Sequence, residues 1–364
     1  MLIDSLLAGG AERIAVEVAC ALDRAKFSPW VVVTRHTGPL QSLLDEAGVG
    51  YTILGRTRGF SPVKYLEAKR LVGGFDLLHA HKFGSNIWGS LLARQTGVPL
   101  VVRDPRFSGV RTWQRTYGYR FLIGRTARRI ICPSTKLADS LIDEGVDPSL
   151  LVVIPNGVRL EAALPRDQAR AELGLDGRAK VVGIVARLRP EKQHDVLLRA
   201  TARLMRQNRA ISVCIVGDGP TRESLEQLTV ELGLGDVVTF AGERRDAKRI
   251  VSAFDVGVIS SAWEGLPVAS LEILAAGVPL VSTAVGALPE VLAGGAGLLV
   301  EPDDDAGLAA AIATVLDDPS HAAELGRLGR QRIADEYSFP RMVADFERVY
   351  TEVLLDGRPP SRAD

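Results

Sequence analysis

One pattern governs what this chain can fold into. Short apolar runs of strand length alternate with stretches whose apolar residues recur at helical spacing, and the alternation is played out twice. In the first round the strand candidates are Trp30–Thr34, Tyr51–Leu54, Asp76–Ala80, Leu100–Arg103, Ile130–Cys132 and Val152–Ile154. The first helical face, ahead of Trp30, is plain, with Ile14, Val18, Ala21 and Leu22 in register. Pro155-Asn156-Gly157-Val158 then breaks the rhythm with turn chemistry, and the polar stretch Arg159 to Arg178 links to the second round. Its strand candidates are Val181–Val185, Ser212–Val216, Val237–Phe240, Val256–Ile259, Leu280–Ser282 and Gly297–Val300. Helices are expected over about Asp304–Leu316, His321–Tyr337 and, after Pro340, Arg341–Leu355. Alternation of this kind specifies parallel α/β architecture. At 364 residues, 46% of them apolar, the chain can fill two cores of ordinary size. The expected division is residues 1–158 and 159–340. Ahead of Asp4 stand only Met1, Leu2 and Ile3, a short first strand that leaves open a start further upstream.

Composition removes several classes of function. Forty-four basic and 44 acidic residues cancel, so the whole-chain charge gives no reason to expect nucleic acid. Cys20, Cys132 and Cys214 are far apart and sit in apolar runs, which reads as buried thiols in a reducing compartment. No Cys or His spacing suits a metal. The N-terminus has no basic leader or cleavage site, so a cytoplasmic protein is expected. The most apolar stretch, Val268 to Val300, contains Glu272, Pro279, Pro289 and Glu290, which argues for a buried helix, strand and turn and not for a bilayer span.

Five segments carry candidate chemistry. Gly9-Gly10-Ala11-Glu12-Arg13 joins the first strand to the first helix, where two glycines let a ligand approach the backbone at a helix N-terminus. It lacks the third glycine of a dinucleotide fingerprint, and a plain tight turn is the competing reading. Arg187 follows a strand and Lys192 nears the next helix, at the sheet edge where open α/β folds bind ligands. Two cations there suit a diphosphate; a solvated basic loop is the alternative. Val216-Gly217-Asp218-Gly219-Pro220 is a second strand-to-helix turn, in which Gly217 is open to a purely structural role. Trp263 to Glu272 is the richest segment. Glu264 precedes Gly265, Leu266 and Pro267, and Pro267 suits a first helical turn. Glu272 falls inside an otherwise apolar helix, where a carboxylate needs a partner. Vicinal ribose hydroxyls would serve, as would a backbone group or an arginine. Between Arg103 and Arg129 lie eight arginines and one acid, with Trp113, Tyr117, Tyr119 and Phe121 interleaved. This is either a solvated helix face or a surface for an anionic acceptor or lipid, with Arg103, Arg106, Arg111 and Arg115 as its candidates.

In their order and separation, Gly9-Gly10-Ala11-Glu12-Arg13, Pro155-Asn156-Gly157-Val158, Gly183 through Arg187 to Lys192, Val216-Gly217-Asp218-Gly219-Pro220, and Glu264 to Glu272 running on to Ala276-Gly277-Val278-Pro279 resemble glycosyltransferase family 4 over nearly the whole chain. The resemblance implies the GT-B fold, two Rossmann-like domains with parallel sheets facing a central cleft, and a final helix crossing back onto the first domain. It implies sugar transfer from a UDP- or GDP-linked donor to a hydroxyl acceptor, with retention of anomeric configuration, in surface polysaccharide or glycolipid assembly. Glu264 and Glu272 resemble the family's E-x7-E pair. By that resemblance Glu264 and the loop Gly265-Leu266-Pro267 face the donor sugar, Glu272 takes the ribose, and Arg187 with Lys192 takes the diphosphate. Gly9, Gly10 and Gly217 complete the donor-side set. The cations would stabilise the departing nucleoside diphosphate, so neither metal nor cofactor is expected. Where many members carry a histidine, this chain has Arg103-Asp104-Pro105-Arg106, so no histidine role is carried over. The expected partners are the donor, a glycan or glycolipid acceptor and an anionic membrane surface, with the chain peripheral on the inner face of the membrane. A nucleotide-sugar epimerase and a degenerate nucleotide-sugar-binding protein are the competing functions.

Overall fold

The computed structural model describes residues 1–7, 9–57, 61–104, 113–175, 177, 179–244 and 246–356. Thirteen strands form among them. β1 (Leu2–Ser5), β2 (Trp30–His36), β3 (Gly50–Ile53), β4 (Leu78–His81), β5 (Leu100–Arg103), β6 (Ala127–Cys132) and β7 (Leu151–Val153) make one sheet. β8 (Lys180–Val185), β9 (Ile211–Val216), β10 (Val238–Gly242), β11 (Val256–Ile259), β12 (Leu280–Thr283) and β13 (Leu298–Val300) make another. Every pairing within them is parallel.

The chain divides into two compact units, one comprising Met1–Asn156 with the chain from Pro340 onward, the other Gly157–Phe339. In the first, the strand order is β3-β2-β1-β4-β5-β6-β7; in the second it is β10-β9-β8-β11-β12-β13. Each sheet therefore grows outward from an inner strand, then returns to that strand's other side. The reversal falls between β1 and β4 in one unit and between β8 and β11 in the other. At such a point the two connecting loops leave in opposite directions and open a crevice beyond the strand ends, where open α/β sheets bind ligands.

Apolar side chains fill both faces of each sheet. In the first unit Leu2, Val32, Leu78, Leu100 and Val102 pack on one side, and Ile3, Val31 and Val33 on the other, against Ala15 and Ala19 of the helix Gly10–Ala21. Alternate residues of a strand point to opposite faces, so continuous apolar runs are what doubly covered strands require. In the second unit Val182, Ile184, Val213 and Ile215 share one cluster, while Val181, Cys214 and Val216 share the other. Burial pushes the thiols of Cys132 and Cys214 up to about 12, whereas Cys20 is only half-buried.

Three readings of the sequence need correction. The stretch Arg159–Arg178 is more than a polar link. It contains the helix Arg166–Glu172, whose Ala169 is fully buried, and Arg170 donates to Asp255 Oδ2 at 2.5 Å and to the Ala253 carbonyl at 3.1 Å. Pro267 precedes the helix Val268–Ala275 as its N-cap and lies outside the first turn. β6 begins at Ala127, three residues before the run read as Ile130–Cys132, because Arg128 and Arg129 belong to the strand.

The final helix, Phe339–Asp356, sets Tyr350 against β4, where its hydroxyl lies 2.6 Å from His79 Nδ1. Glu347 accepts from the Asp23 amide at 2.7 Å. Within the second unit, Val158 and Ser338 form a parallel bridge, so the two segments that end this unit run side by side. Among the described residues, no helix is long and apolar enough to cross a membrane.

Candidate functional site

Of the donor-side residues read from the sequence, Arg187, Lys192, Glu264 and Gly265 lie on the loops that leave β8 and β11 at the switch point, whereas Gly217 follows β9, and Gly9 and Gly10 follow β1 in the first unit. β8 ends at Val185, and Arg187 follows it, exposed. A single 3-10 turn, Pro190–Lys192, then leads through Gln193, in left-handed conformation, to the helix His194–Arg206. From the other side, β11 runs into Ser260 and Ser261. The two loops are tied together: Ala262 N–H donates to the Glu191 carbonyl at 2.9 Å, and Ser260 Oγ donates to the Lys192 carbonyl at 2.9 Å. Across this junction Lys192 Nζ is paired with Glu264 Oε1. Ser261 Oγ donates to the same carboxylate oxygen at 2.8 Å. Their side chains are only 20% and 10% exposed, so neither charge is well hydrated and each depends on the other.

The loop after Glu264 is fixed by backbone contact. Gly265 carbonyl accepts from the Ala287 amide at 2.9 Å. Gly286, at φ +56°, lies beneath it, and a Cβ there would sit 2.3 Å from the Gly265 oxygen and 2.5 Å from the Glu264 oxygen. Pro267 then precedes the helix Val268–Ala275 as its N-cap; the helix has no side-chain cap and no acid in its first turn, so its N-terminal amides and dipole favour an anion. Leu266 is buried, and Glu272 stands half-buried between Leu271 and Ile273, both fully buried. His194 beside Lys192 is buried, and its pKa is pushed down to about 4 by burial and by the lysine charge. It stays neutral and leaves Lys192 the cation of this turn.

The glycines separate into two kinds. Gly217 has φ +142°, and a Cβ on it would lie 1.9 Å from the Ala186 carbonyl oxygen. Close packing of the loops after β8 and β9 accounts for that glycine by itself. At Gly10 an added Cβ would meet nothing within 4 Å, so packing does not account for it. Gly9 caps the helix Gly10–Ala21, and Glu12 folds back beneath it.

The arginine-rich candidates do not form one surface. Arg103 is fully buried at the end of β5. It donates to Asn156 Oδ1 at 2.5 Å and lies 5.8 Å from the Phe346 ring. Burial brings its pKa down to about 10, and it faces neither acceptor solution nor lipid. Arg115 turns inward, 3.4 Å from Asp104 Oδ2, which also accepts from Tyr119 Oη at 2.8 Å. Arg106 and Arg111 lie outside the described residues. What remains exposed is a ladder on the helical segment from Trp113 to Ile123. Trp113 and Tyr117 rings stand 6.4 Å apart, Tyr117 stacks on Phe121 at 5.5 Å, and Arg120 and Arg125 lie over Phe121 at 5.2 and 5.5 Å.

Sequence reading missed Ser261, Gly286 and the partnership of Lys192 with Glu264. The pair is separated by 72 residues, and spacing alone carries no trace of it. Gly286 had a faint signal, an isolated glycine after an apolar strand. Among the described residues no group of three or more metal-ligating side chains occurs.

Comparison with known proteins agrees with this layout. Residues 8–162 match the model "Glycosyltransferase Family 4", and residues 165–332 match "Glycosyl transferases group 1". D-inositol 3-phosphate glycosyltransferase from Salinispora tropica is 32% identical over 95% of this chain and 78% of its own length. MMP alpha-(1->4)-mannosyltransferase from Mycolicibacterium hassiacum is 30% identical over 82% of this chain and 77% of its own length. The structure of Anabaena HepE in complex with UDP and glucose superposes with a TM-score of 0.85 at 22% identity, covering 96% of this chain and 99% of that one. Sucrose-phosphate synthase from Thermosynechococcus elongatus gives 0.80 at 23%, covering 98% and 99%. Both halves of the chain thus carry family sequence on a GT-B fold, and the chain belongs to glycosyltransferase family 4, the nucleotide-sugar-dependent transferases.

Proposed function

We propose that this enzyme moves a hexosyl group from a UDP-linked donor to a hydroxyl acceptor with retention of configuration, in glycan or glycolipid assembly. The observation that carries the donor side is the Lys192–Glu264 pair across the β8/β11 switch point. A bound diphosphate satisfies Lys192 and frees Glu264 to accept hydrogen bonds from a sugar hydroxyl, so neither the half-buried lysine nor the buried glutamate is left alone. Arg187 and the N-terminus of the helix Val268–Ala275 add positive potential for the same group, and Glu272 takes the ribose. As the glycosidic bond breaks, another negative charge collects on the leaving phosphate. Interactions that strengthen with it speed the reaction. HepE was crystallised with UDP, with UDP and glucose, and with UDP-glucose, which supports uridine over guanosine. The relatives named for inositol 3-phosphate and for mannosyl transfer support a hydroxylated acceptor.

The test is turnover of a UDP-sugar panel at saturating donor. Lys192→Ala should lower kcat about a hundredfold, or about 2.7 kcal/mol, with a smaller change in donor affinity. Near-wild-type kcat in a folded variant refutes the assignment. Donor epimerisation without any acceptor identifies an epimerase instead, and binding without turnover a degenerate binding protein.

The ladder Trp113, Tyr117 and Phe121, 70%, 58% and 41% exposed and flanked by Arg120 and Arg125, favours a second, compatible reading. A cytoplasmic enzyme would use it to sit on an anionic membrane face. Binding to acidic vesicles should weaken as salt rises, while neutral vesicles bind little; equal binding to both rejects this reading.

A further inference from the structure

The second unit holds a cleft that the donor reading does not use. It lies between the helices His194–Arg206 and Arg222–Glu231, and Arg189 and Pro190, just ahead of Lys192, complete its lining. Its volume is about 330 Å³. That is far above the roughly 30 Å³ of one liquid water and falls in the lower range of small-molecule sites, roughly 300–1,000 Å³. Arg187, Lys192, Glu264 and Glu272 take no part in the lining.

Polar atoms in this wall lack partners. His194 is 1% exposed, and neither Nδ1 nor Nε2 has a hydrogen-bond partner among the described residues. Thr221 Oγ1 is buried and lacks one too. Buried polar atoms are nearly always hydrogen-bonded, so three in one wall call for a polar occupant. The charge around the cleft does not select an ion. Arg189 is offset by Asp195 and Glu231, and Asp195 Oδ2 already accepts from Arg199 Nη1 at 2.8 Å. Asp195 and Glu223 stand in the first turns of the two helices and offset their dipoles. Because burial and the Lys192 charge hold the His194 pKa near about 4, the ring is neutral, with one nitrogen donating and the other accepting. Ser224 and Gln227 offer further groups of both kinds. Leu225 and Leu228, three residues apart on one helix face, add an apolar strip.

We infer that this cleft is a second, non-catalytic binding site for a neutral sugar residue. Hydroxyls both donate and accept, so they satisfy His194 in either tautomer together with Thr221 Oγ1. The C–H face of the sugar ring covers Leu225 and Leu228, and Ser224, Gln227 and Asp195 remain for its outer hydroxyls. A phosphate or carboxylate would meet two carboxylates and a neutral imidazole. Water satisfies the polar atoms but gains nothing from the apolar strip. The ligand class follows from the cleft's own chemistry, and no residue of the proposed donor site enters it.

The probes are methyl α-glucoside, methyl α-mannoside, methyl α-galactoside and N-acetylglucosamine, with inorganic phosphate as the anionic comparison. Binding is followed by saturation-transfer NMR and calorimetry on the full chain saturated with UDP. At least one sugar should bind. Ser224→Tyr sets a bulky ring into the cleft from an exposed helix position, so it should fold and bind UDP as wild type does while losing that sugar. His194→Phe keeps a ring and removes both nitrogens, and it should weaken the sugar roughly tenfold, as lost hydrogen bonds in a buried site predict. Its Tm without sugar should match or exceed that of wild type, because two unsatisfied buried atoms are removed. A histidine retained for internal structure predicts the opposite pair of results, a lower Tm and unchanged sugar binding. If no sugar binds, if binding is indifferent to both variants, or if only phosphate responds to them, the inference is overturned and the donor site stands. If UDP does not bind but a sugar does so in a Ser224- and His194-dependent way, the donor reading has failed and the cleft assignment holds.

Discussion

Replacing Gly286 with alanine isolates how firmly the Glu264 loop must be held. Two penalties follow from the structure. At φ +56° a side chain enters the left-handed region, at roughly 1–2 kcal/mol. The new Cβ would also stand 2.3 and 2.5 Å from two carbonyl oxygens of the Glu264-Gly265 backbone. Ordinary contact requires that loop to withdraw by roughly 1 Å, and a displacement of that size at a reacting centre costs about a hundredfold in rate. Gly294 supplies the control, since it has φ +71° and an added Cβ there would meet nothing within 4 Å. Gly294→Ala should therefore lose only the conformational term, seen as a Tm lower by about 2–8 °C, with kcat/KM near wild type. Gly286→Ala should show a similar or somewhat larger Tm loss together with about a hundredfold lower kcat/KM. Thermal unfolding by circular dichroism and initial rates with a UDP-sugar decide it. Equal activity in the two variants would refute the claim that the Gly286 contact sets the position of Glu264.

Glu272→Ala should raise the donor dissociation constant by roughly one to two orders of magnitude, from loss of charge-assisted hydrogen bonds to the ribose; unchanged affinity in a folded variant rules the assignment out. Wild-type activity should survive EDTA, and a strict metal requirement would contradict a leaving-group site built from Arg187 and Lys192. Arg170→Met leaves Asp255 with Arg166 at 3.0 Å, Lys180 at 3.7 Å and the Val181 amide at 2.7 Å, so stability should fall by only about 1–3 kcal/mol in urea titration, although the residue is remote from the proposed chemistry. His79 and His81 are fully buried, and burial holds both pKa values well below the usual 6.5. Unfolding lets them take up protons, so their contribution to stability is complete above about pH 6.5 and declines as pH falls toward the folded values; a urea midpoint that rises on acidification from pH 7 to 5.5 in wild type, relative to His79→Gln, would be the contrary result.

Much of the fold was legible because strand and helix periodicities are local. Leu100–Arg103 and Val256–Ile259 stand as read, since each is a short buried run between turn residues. β6 was truncated in the reading because Arg128 and Arg129 interrupt its apolar signal, although a strand tolerates charge where the side chain reaches solvent. The helix Arg166–Glu172 was hidden because Arg170 looks like surface charge until Asp255 is placed beside it, 85 residues on. Arg103 misled for the same reason. In a run of arginines its burial cannot be seen, and only the fold brings Asn156 and Phe346 to it. Motifs on single loops, such as Trp263 to Glu272, were therefore readable, while the pairing between loops was not.

That distinction bears on why each unit closes its own switch point with a lysine and a glutamate. Strand ends and helix N-termini at these edges offer a positive field that a ligand anion will use. Without ligand, a lone buried lysine there would be costly, and so would a lone buried glutamate. Pairing them removes both penalties, and on the reading proposed for Lys192 and Glu264 binding is then an exchange: an anion for the lysine, a hydroxyl for the glutamate. Such an exchange demands both chemical features from the ligand. An uncharged sugar cannot displace the lysine, and an anion without a hydroxyl leaves the glutamate without a donor. Selectivity of this kind arises from unsatisfied buried groups, which discriminate more sharply than apolar contact does. Because Lys192–Glu264 and Glu12–Lys82 each join loops some 70 residues apart, substitution on either loop alters both partners. The double variant Lys192→Ala with Glu264→Ala should accordingly be more stable than either single variant predicts by addition, with a coupling of 0.5–3 kcal/mol typical of contacting residues. Strict additivity in urea unfolding would mean that the two charges do not depend on one another, and the exchange would lose its energetic basis.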